Sequence, residues 1–181
     1  MTNFTRTTIT ALATIGAGAV LALVPAGTAQ AATYTCHGLA ATIVGTNGHD
    51  DIEGTPGRDV IVALGGNDEI DGNDGNDVIC AGAGHDEVDG GSGNDWISGG
   101  SGRDRLEGGT GADTLYGGSN NDHLEGESGA DRLYGQSGHD LLEGGTGSDR
   151  LSGGTGSDIL RQRHASDRVE DRWEDRHGYD D

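Results

Sequence analysis

A chain of 181 residues with 36 glycines, 31 acidic residues, 11 arginines and no lysine carries a formal net charge of −20. Only 31% of it is hydrophobic and 4% aromatic, which is too little large apolar surface for an ordinary globular core. The charge excludes nucleic acid and anionic membrane surfaces as partners and favours small hard cations. Glycine at one residue in five without a triplet period excludes collagen.

Residues 1–31 read as a secretory signal peptide. Arg6 is their only charge, an apolar stretch at 9–24 is interrupted by Gly16 and Gly18 and ends at Pro25, and Ala29-Gln30-Ala31 fits the small-residue cleavage pattern. The apolar run is short for a membrane span, so the mature chain, starting near Ala32, is expected to be secreted, extracellular and without a span. Residues 32–44 form an N-terminal cap. They hold Cys36 and end in Thr42-Ile43-Val44, the x-U-x ending (U, a large aliphatic residue) of the unit that fills the rest of the chain.

From Gly45 the chain divides into thirteen nine-residue units in unbroken register, residues 45–161. Position six is always aspartate: Asp50, Asp59, Asp68, Asp77, Asp86, Asp95, Asp104, Asp113, Asp122, Asp131, Asp140, Asp149 and Asp158. Position eight is always Ile, Leu or Val, and position four is Gly except at Asn120, the next most tolerant residue for positive φ. The glycine-rich six residues of each unit suit a tight turn, and the last three a short strand with U pointing inward. A carboxylate closing each turn beside converging carbonyls makes an all-oxygen site suited to Ca2+. Zinc would want histidine or cysteine at a fixed place, and neither recurs so.

These units resemble the RTX (repeats-in-toxin, hemolysin-type) calcium-binding nonapeptide family. The resemblance implies an all-β fold, a right-handed parallel β-roll or β-solenoid with two units per turn and Ca2+ held between stacked loops on either edge. Its metal ligands here would be the thirteen aspartates with loop carbonyls near Gly91, Gly93, Gly100, Gly102, Gly109 and Gly111. Early units depart at Thr46, Thr55, Ala63, Leu64 and Ala81, and later ones more mildly at Glu127 and Gln136. Their loops are the doubtful sites.

A second period is visible in the residues that flank U. Odd units carry Asp51/Glu53, Glu69/Asp71, Glu87/Asp89, Arg105/Glu107, His123/Glu125 and Leu141/Glu143, while even units carry Val60/Val62, Val78/Cys80, Trp96/Ser98, Thr114/Tyr116, Arg132/Tyr134 and Arg150/Ser152. Odd and even units therefore occupy opposite sheets, one with an acidic outer ladder and one whose outer face begins apolar and becomes aromatic. Counting back from Gly45 gives a degenerate unit, 36–44, that sets Val44 beside Val60, Val62 and Val78 on the even face. Cys36 and Cys80, the only cysteines, share that patch, and a disulfide between them is expected to fold 33–39 over the valines.

Trp96, Tyr116 and Tyr134 form the candidate partner face, suited to sugar rings of a polysaccharide or to a cell-surface partner. Simple strand propensity is the alternative. His49, His85 and His139 sit at loop position five, interchangeable with Arg, Asn, Ala or Ser, and read as solvated turn residues. No catalytic motif is present and the flanks leave no room for a catalytic domain. In the charged tail, 162–181, Val169 and Trp173 are spaced for a short helix from Ser166, with Trp173 near Leu160; a disordered tail is the other reading.

The repeat block holds 24 acids against 6 arginines, and that repulsion opposes compaction until cations lodge between the turns. Several Ca2+ ions, at most about eleven by one per stacked same-edge pair, are expected to fold a monomeric, non-catalytic protein. An accessory or adhesion module of a secreted enzyme or cell-surface system, and an acidic mineral-associated protein, stay open beside it.

Overall fold

The computed structural model describes residues 7–10, 34–161 and 168–169. Among them there is no helix, and hence none long and apolar enough to cross a membrane. The x-U-x tripeptides are strands because an aliphatic residue alternates with polar neighbours, and the hexapeptides between them reverse the chain. Pairing is parallel and steps by 18 residues. Ile52 lies opposite Ile70, Val88 opposite Leu106, and Ile97 opposite both Ile79 and Leu115. Two units thus complete one turn of a β-solenoid of about seven turns.

Odd units supply one sheet, from Asp50–Glu53 through Glu87–Asp89 and Arg105–Glu107 to Ile159–Arg161. Even units supply the facing sheet, from Ile43–Val44 through Trp96–Ser101 and Thr114–Ser119 to Arg150–Thr155. A third, narrow ladder of Thr110–Gly111, Ser128–Gly129 and Thr146–Gly147 runs along the even-unit loops. At the N-terminal end Thr7–Thr10 pairs in parallel with Asp50–Glu53. The rest of the expected leader lies outside the described residues.

The core is two facing columns of U side chains. Ile52, Ile70, Val88, Leu106, Leu124 and Leu142 meet Ile43, Ile61, Ile79, Ile97, Leu115, Leu133 and Leu151, all buried. Each contributes roughly 2 kcal/mol by area removed from water. These columns hold the turns in register, so every position-six aspartate recurs at the same corner.

The cap is a small antiparallel hairpin, Thr35–Cys36 with Leu39–Ala40, bound to the roll by the Cys36–Cys80 disulfide. It lays Cys36 and Leu39 against Val60, Val62 and Val78. Val44 is half-buried and pairs in parallel register with Val62, which sets it beside that valine on the even outer face, as expected. The C-terminal end corrects the expected helix from Ser166. Arg168–Val169 is a strand parallel to Arg150–Leu151, because the open sheet edge offers the Asp149 carbonyl, which accepts the Arg168 N–H at 2.7 Å. Trp173 lies outside the described residues.

Candidate metal centre at the aspartyl corners

Each position-six aspartate follows a glycine-rich loop and precedes the strand, so its side chain turns inward at the corner. Twelve of the thirteen, Asp50 to Asp149, are buried, and Asp158 in the last turn is half-buried. Every stacked pair is joined in the same way, with the backbone N–H of one aspartate donating to Oδ1 of the aspartate 18 residues later. Asp95 N–H reaches Asp113 Oδ1 at 2.8 Å and Asp113 N–H reaches Asp131 Oδ1 at 2.9 Å. There are eleven such bonds, from the Asp50–Asp68 pair to the Asp140–Asp158 pair.

The second carboxylate oxygen is treated differently. Oδ2 of Asp68, Asp77, Asp86, Asp95, Asp104, Asp113, Asp122, Asp131, Asp140 and Asp158 is shielded from solvent and accepts no hydrogen bond. In the units of Asp77, Asp95, Asp104, Asp113, Asp122, Asp131 and Asp140 it lies by the position-one glycine of its own unit, which also packs on the position-one carbonyl of the next stacked unit. A Cβ on Gly72 would lie 2.9 Å from Asp77 Oδ2 and 2.7 Å from the Gly90 oxygen. Burial, only partly offset by the backbone N–H on Oδ1, raises the carboxyl pKa to about 7 at Asp86, Asp113 and Asp122. It reaches about 6 at Asp77, Asp95 and Asp131, for the same leading cause. A buried anionic oxygen with no donor is costly, and a cation is the group that removes the cost.

Backbone conformation supplies the remaining oxygens. Positions two and four are left-handed in every unit from Ala63 onward, with φ 86° at Gly91, 147° at Gly93, 103° at Gly100, 137° at Gly102, 87° at Gly109 and 139° at Gly111. This turns successive carbonyls along the roll axis. The oxygens of Gly75 and Gly93 press on the α-carbons of Gly93 and Gly111, so closely that a Cβ at either would overlap them. Leu64 (78°), Asn120 (81°), Glu127 (65°) and Gln136 (74°) keep the same conformation without being glycine, so those loops retain the shared shape. Ala63 and Ala81 are absorbed into the hydrophobic core. Among the described residues no three His, Cys, Asp or Glu side chains gather as a metal cage. A cation would therefore be held by paired carboxylates and peptide oxygens, a donor set that suits Ca2+ rather than zinc.

Position five is more than a solvated turn. His85 Nδ1 accepts the Arg103 N–H at 2.8 Å and His139 Nδ1 accepts the Ser157 N–H at 2.9 Å. Asn67, Asn76, Asn94 and Asn121 do the same with their side-chain oxygens. His49 instead directs Nδ1 at the Asn67 carbonyl. The recurrence of Asn and His at this place was the available signal, since both can present a side-chain acceptor at the same reach.

On the even face His37, Trp96, Tyr116 and Tyr134 form one column, with centroid separations of 4.4, 5.4 and 4.9 Å. Tyr116 and Tyr134 are stacked at 12°, so each covers a face of the other and the candidate partner face offers edges more than open ring planes. The odd acidic ladder is bridged in its middle. Arg105 meets Glu107 at 2.5 Å and both Glu87 and Glu125 at 3.9 Å, and Arg161 meets Glu143 at 2.6 Å.

The family model for the RTX calcium-binding nonapeptide repeat (4 copies) matches the chain at residues 44–79, 53–88, 81–106, 89–124, 98–133, 107–142 and 125–160. No curated protein matches it.

Proposed function

The chain belongs to the RTX calcium-binding nonapeptide repeat family, and from that premise we propose that it is an exported, monomeric β-roll that folds around Ca2+ and has no catalysis of its own. In this reading 1–31 is a leader, 32–44 a cap, 45–161 the calcium-binding roll and 162–181 a tail. The observation that carries it is the file of buried Oδ2 atoms without a hydrogen-bond donor at consecutive corners. The aspartates from Asp68 to Asp158, with loop carbonyls such as those of Gly91, Gly93, Gly100, Gly102, Gly109 and Gly111, would hold the ions. Bound Ca2+ supplies positive charge between stacked carboxylates, which would otherwise repel one another and the rest of an acidic chain.

Isothermal titration of the chain with CaCl2, with MgCl2 as control, tests the reading. Several calcium ions binding at extracellular, sub-millimolar to millimolar levels, with little heat from magnesium, is the expected result. Equal response to both metals, or none to calcium, removes it.

A further inference from the structure

The first two corners are built differently from the rest. Units beginning at Gly45 and Gly54 have threonine at position two, and no residue of 45–48 or 54–57 has positive φ, whereas positions two and four are left-handed in all eleven later units. The altered backbone brings the Thr46 N–H to Asp50 Oδ2 at 2.6 Å, with Thr46 Oγ1 3.1 Å from both carboxylate oxygens. Likewise the Thr55 N–H donates to Asp59 Oδ2 at 2.7 Å and Thr55 Oγ1 lies 2.9 Å from it. Thr42 Oγ1 adds a contact of 3.2 Å to Asp59 Oδ1 and accepts the Val60 N–H at 2.9 Å. Neutral donors of this chain thus meet the Oδ2 atoms of Asp50 and Asp59, where Oδ2 of Asp68, Asp77 and Asp86 meets none.

We infer that Thr46 and Thr55 stand in for calcium in the first turn, making it a metal-independent template on which the calcium-filled turns stack. The inference rests on the reading of the later corners as calcium sites. The Cys36–Cys80 disulfide runs from the cap across this first turn to the second, and Cys36 and Leu39 cover Val60 and Val62 of the first turn together with Val78 of the second. Of the eleven stacked aspartate pairs, nine lie wholly beyond the latched corners, five on the odd edge and four on the even edge. Calcium uptake therefore saturates at no more than nine ions, below the eleven that stacking alone permits.

Hydrogen exchange read by mass spectrometry on the whole, disulfide-bonded chain tests this in EDTA, with native mass spectrometry counting calcium. Segment 42–62 exchanges at least about tenfold more slowly than segment 99–143 in EDTA, and the two become alike when calcium is added. The double variant Thr46→Gly/Thr55→Gly loses that early protection and regains it only with calcium, while Thr46→Ser/Thr55→Ser keeps it. Equal exchange of the two segments in EDTA, both fast or both slow, overturns the inference, as does a glycine variant that behaves like the parent or a parent that takes up more than nine ions. A chain that binds no calcium at all defeats the calcium reading instead, and the EDTA exchange still decides the latch.

Discussion

Asp113→Asn separates what a corner carboxylate does with metal from what it does without. Asp113 accepts the Asp95 N–H through Oδ1 at 2.8 Å and nothing through Oδ2. Burial lifts its pKa from 3.8 to about 7 against the pull of that N–H, and the charges of Asp131 and Asp95 add to the rise. A carboxyl whose pKa is raised on folding gives the metal-free roll its full stability only below the unfolded value. That stability is lost as pH climbs through the folded value. At pH 8 the loss is about 4 kcal/mol, from roughly 1.4 kcal/mol per pKa unit. Asparagine is neutral throughout and escapes the loss, but an unmatched amide donor returns about 1–3 kcal/mol of it. The variant therefore gains on the order of 1–3 kcal/mol in EDTA at pH 8. With calcium the sign reverses, because the corners shared with Asp95 and Asp131 lose an anionic ligand, and the CaCl2 midpoint rises several-fold. Circular dichroism reads both: more strand signal in EDTA and a higher calcium midpoint. A variant that loses strand in EDTA and calcium alike, or whose midpoint does not move, would refute the reasoning.

The parent chain in EDTA should gain strand signal as pH falls from 8 to 5, because Asp86, Asp113 and Asp122 (about 7) and Asp77, Asp95 and Asp131 (about 6) become neutral in the folded form; a flat or falling profile contradicts this. Gly93→Ala places a Cβ against the Gly75 carbonyl at φ 147° and should cost at least about 2 kcal/mol in urea unfolding with calcium. Gly57→Ala, with open space around its Cβ, should stay within about 0.5 kcal/mol. Cys36→Ser/Cys80→Ser opens a link spanning 44 residues and should cost about 4 kcal/mol in the same assay. A cost below about 1 kcal/mol would assign the hairpin's hold to its valine contacts.

Most of the fold was legible because each nine-residue unit states its own geometry. The U columns, the 18-residue turn, the strand at Ile43–Val44 and the Cys36–Cys80 bond all follow from residues that repeat in register or share one face. The corners were legible as aspartates, but the division of labour within each carboxylate was not. Oδ1 is claimed by an N–H 18 residues earlier, a contact made by backbone that carries no sequence signature. The threonine latch was visible only as a departure from the glycine pattern. Its meaning depends on a φ sign change that frees the position-two N–H for Asp50 and Asp59. At the C-terminal end the i, i+4 spacing of Val169 and Trp173 suggested a helix. Yet Arg168-Val169 also continues the x-U pattern, and an unpaired sheet edge outweighs weak helical spacing when it offers a ready carbonyl. The aromatic column could not be resolved from sequence either, since strand spacing alone does not say whether rings face solvent or one another.

The central claim is that at pH 8 the turns beyond the threonine-latched first one close only when divalent metal neutralises the inward carboxylates. Far-ultraviolet circular dichroism of the whole chain at pH 8, titrated with CaCl2 from an EDTA baseline, tests it most directly. The account expects a small strand signal at the start and a cooperative rise at sub-millimolar to millimolar calcium that magnesium does not reproduce. A spectrum already complete in EDTA would contradict it.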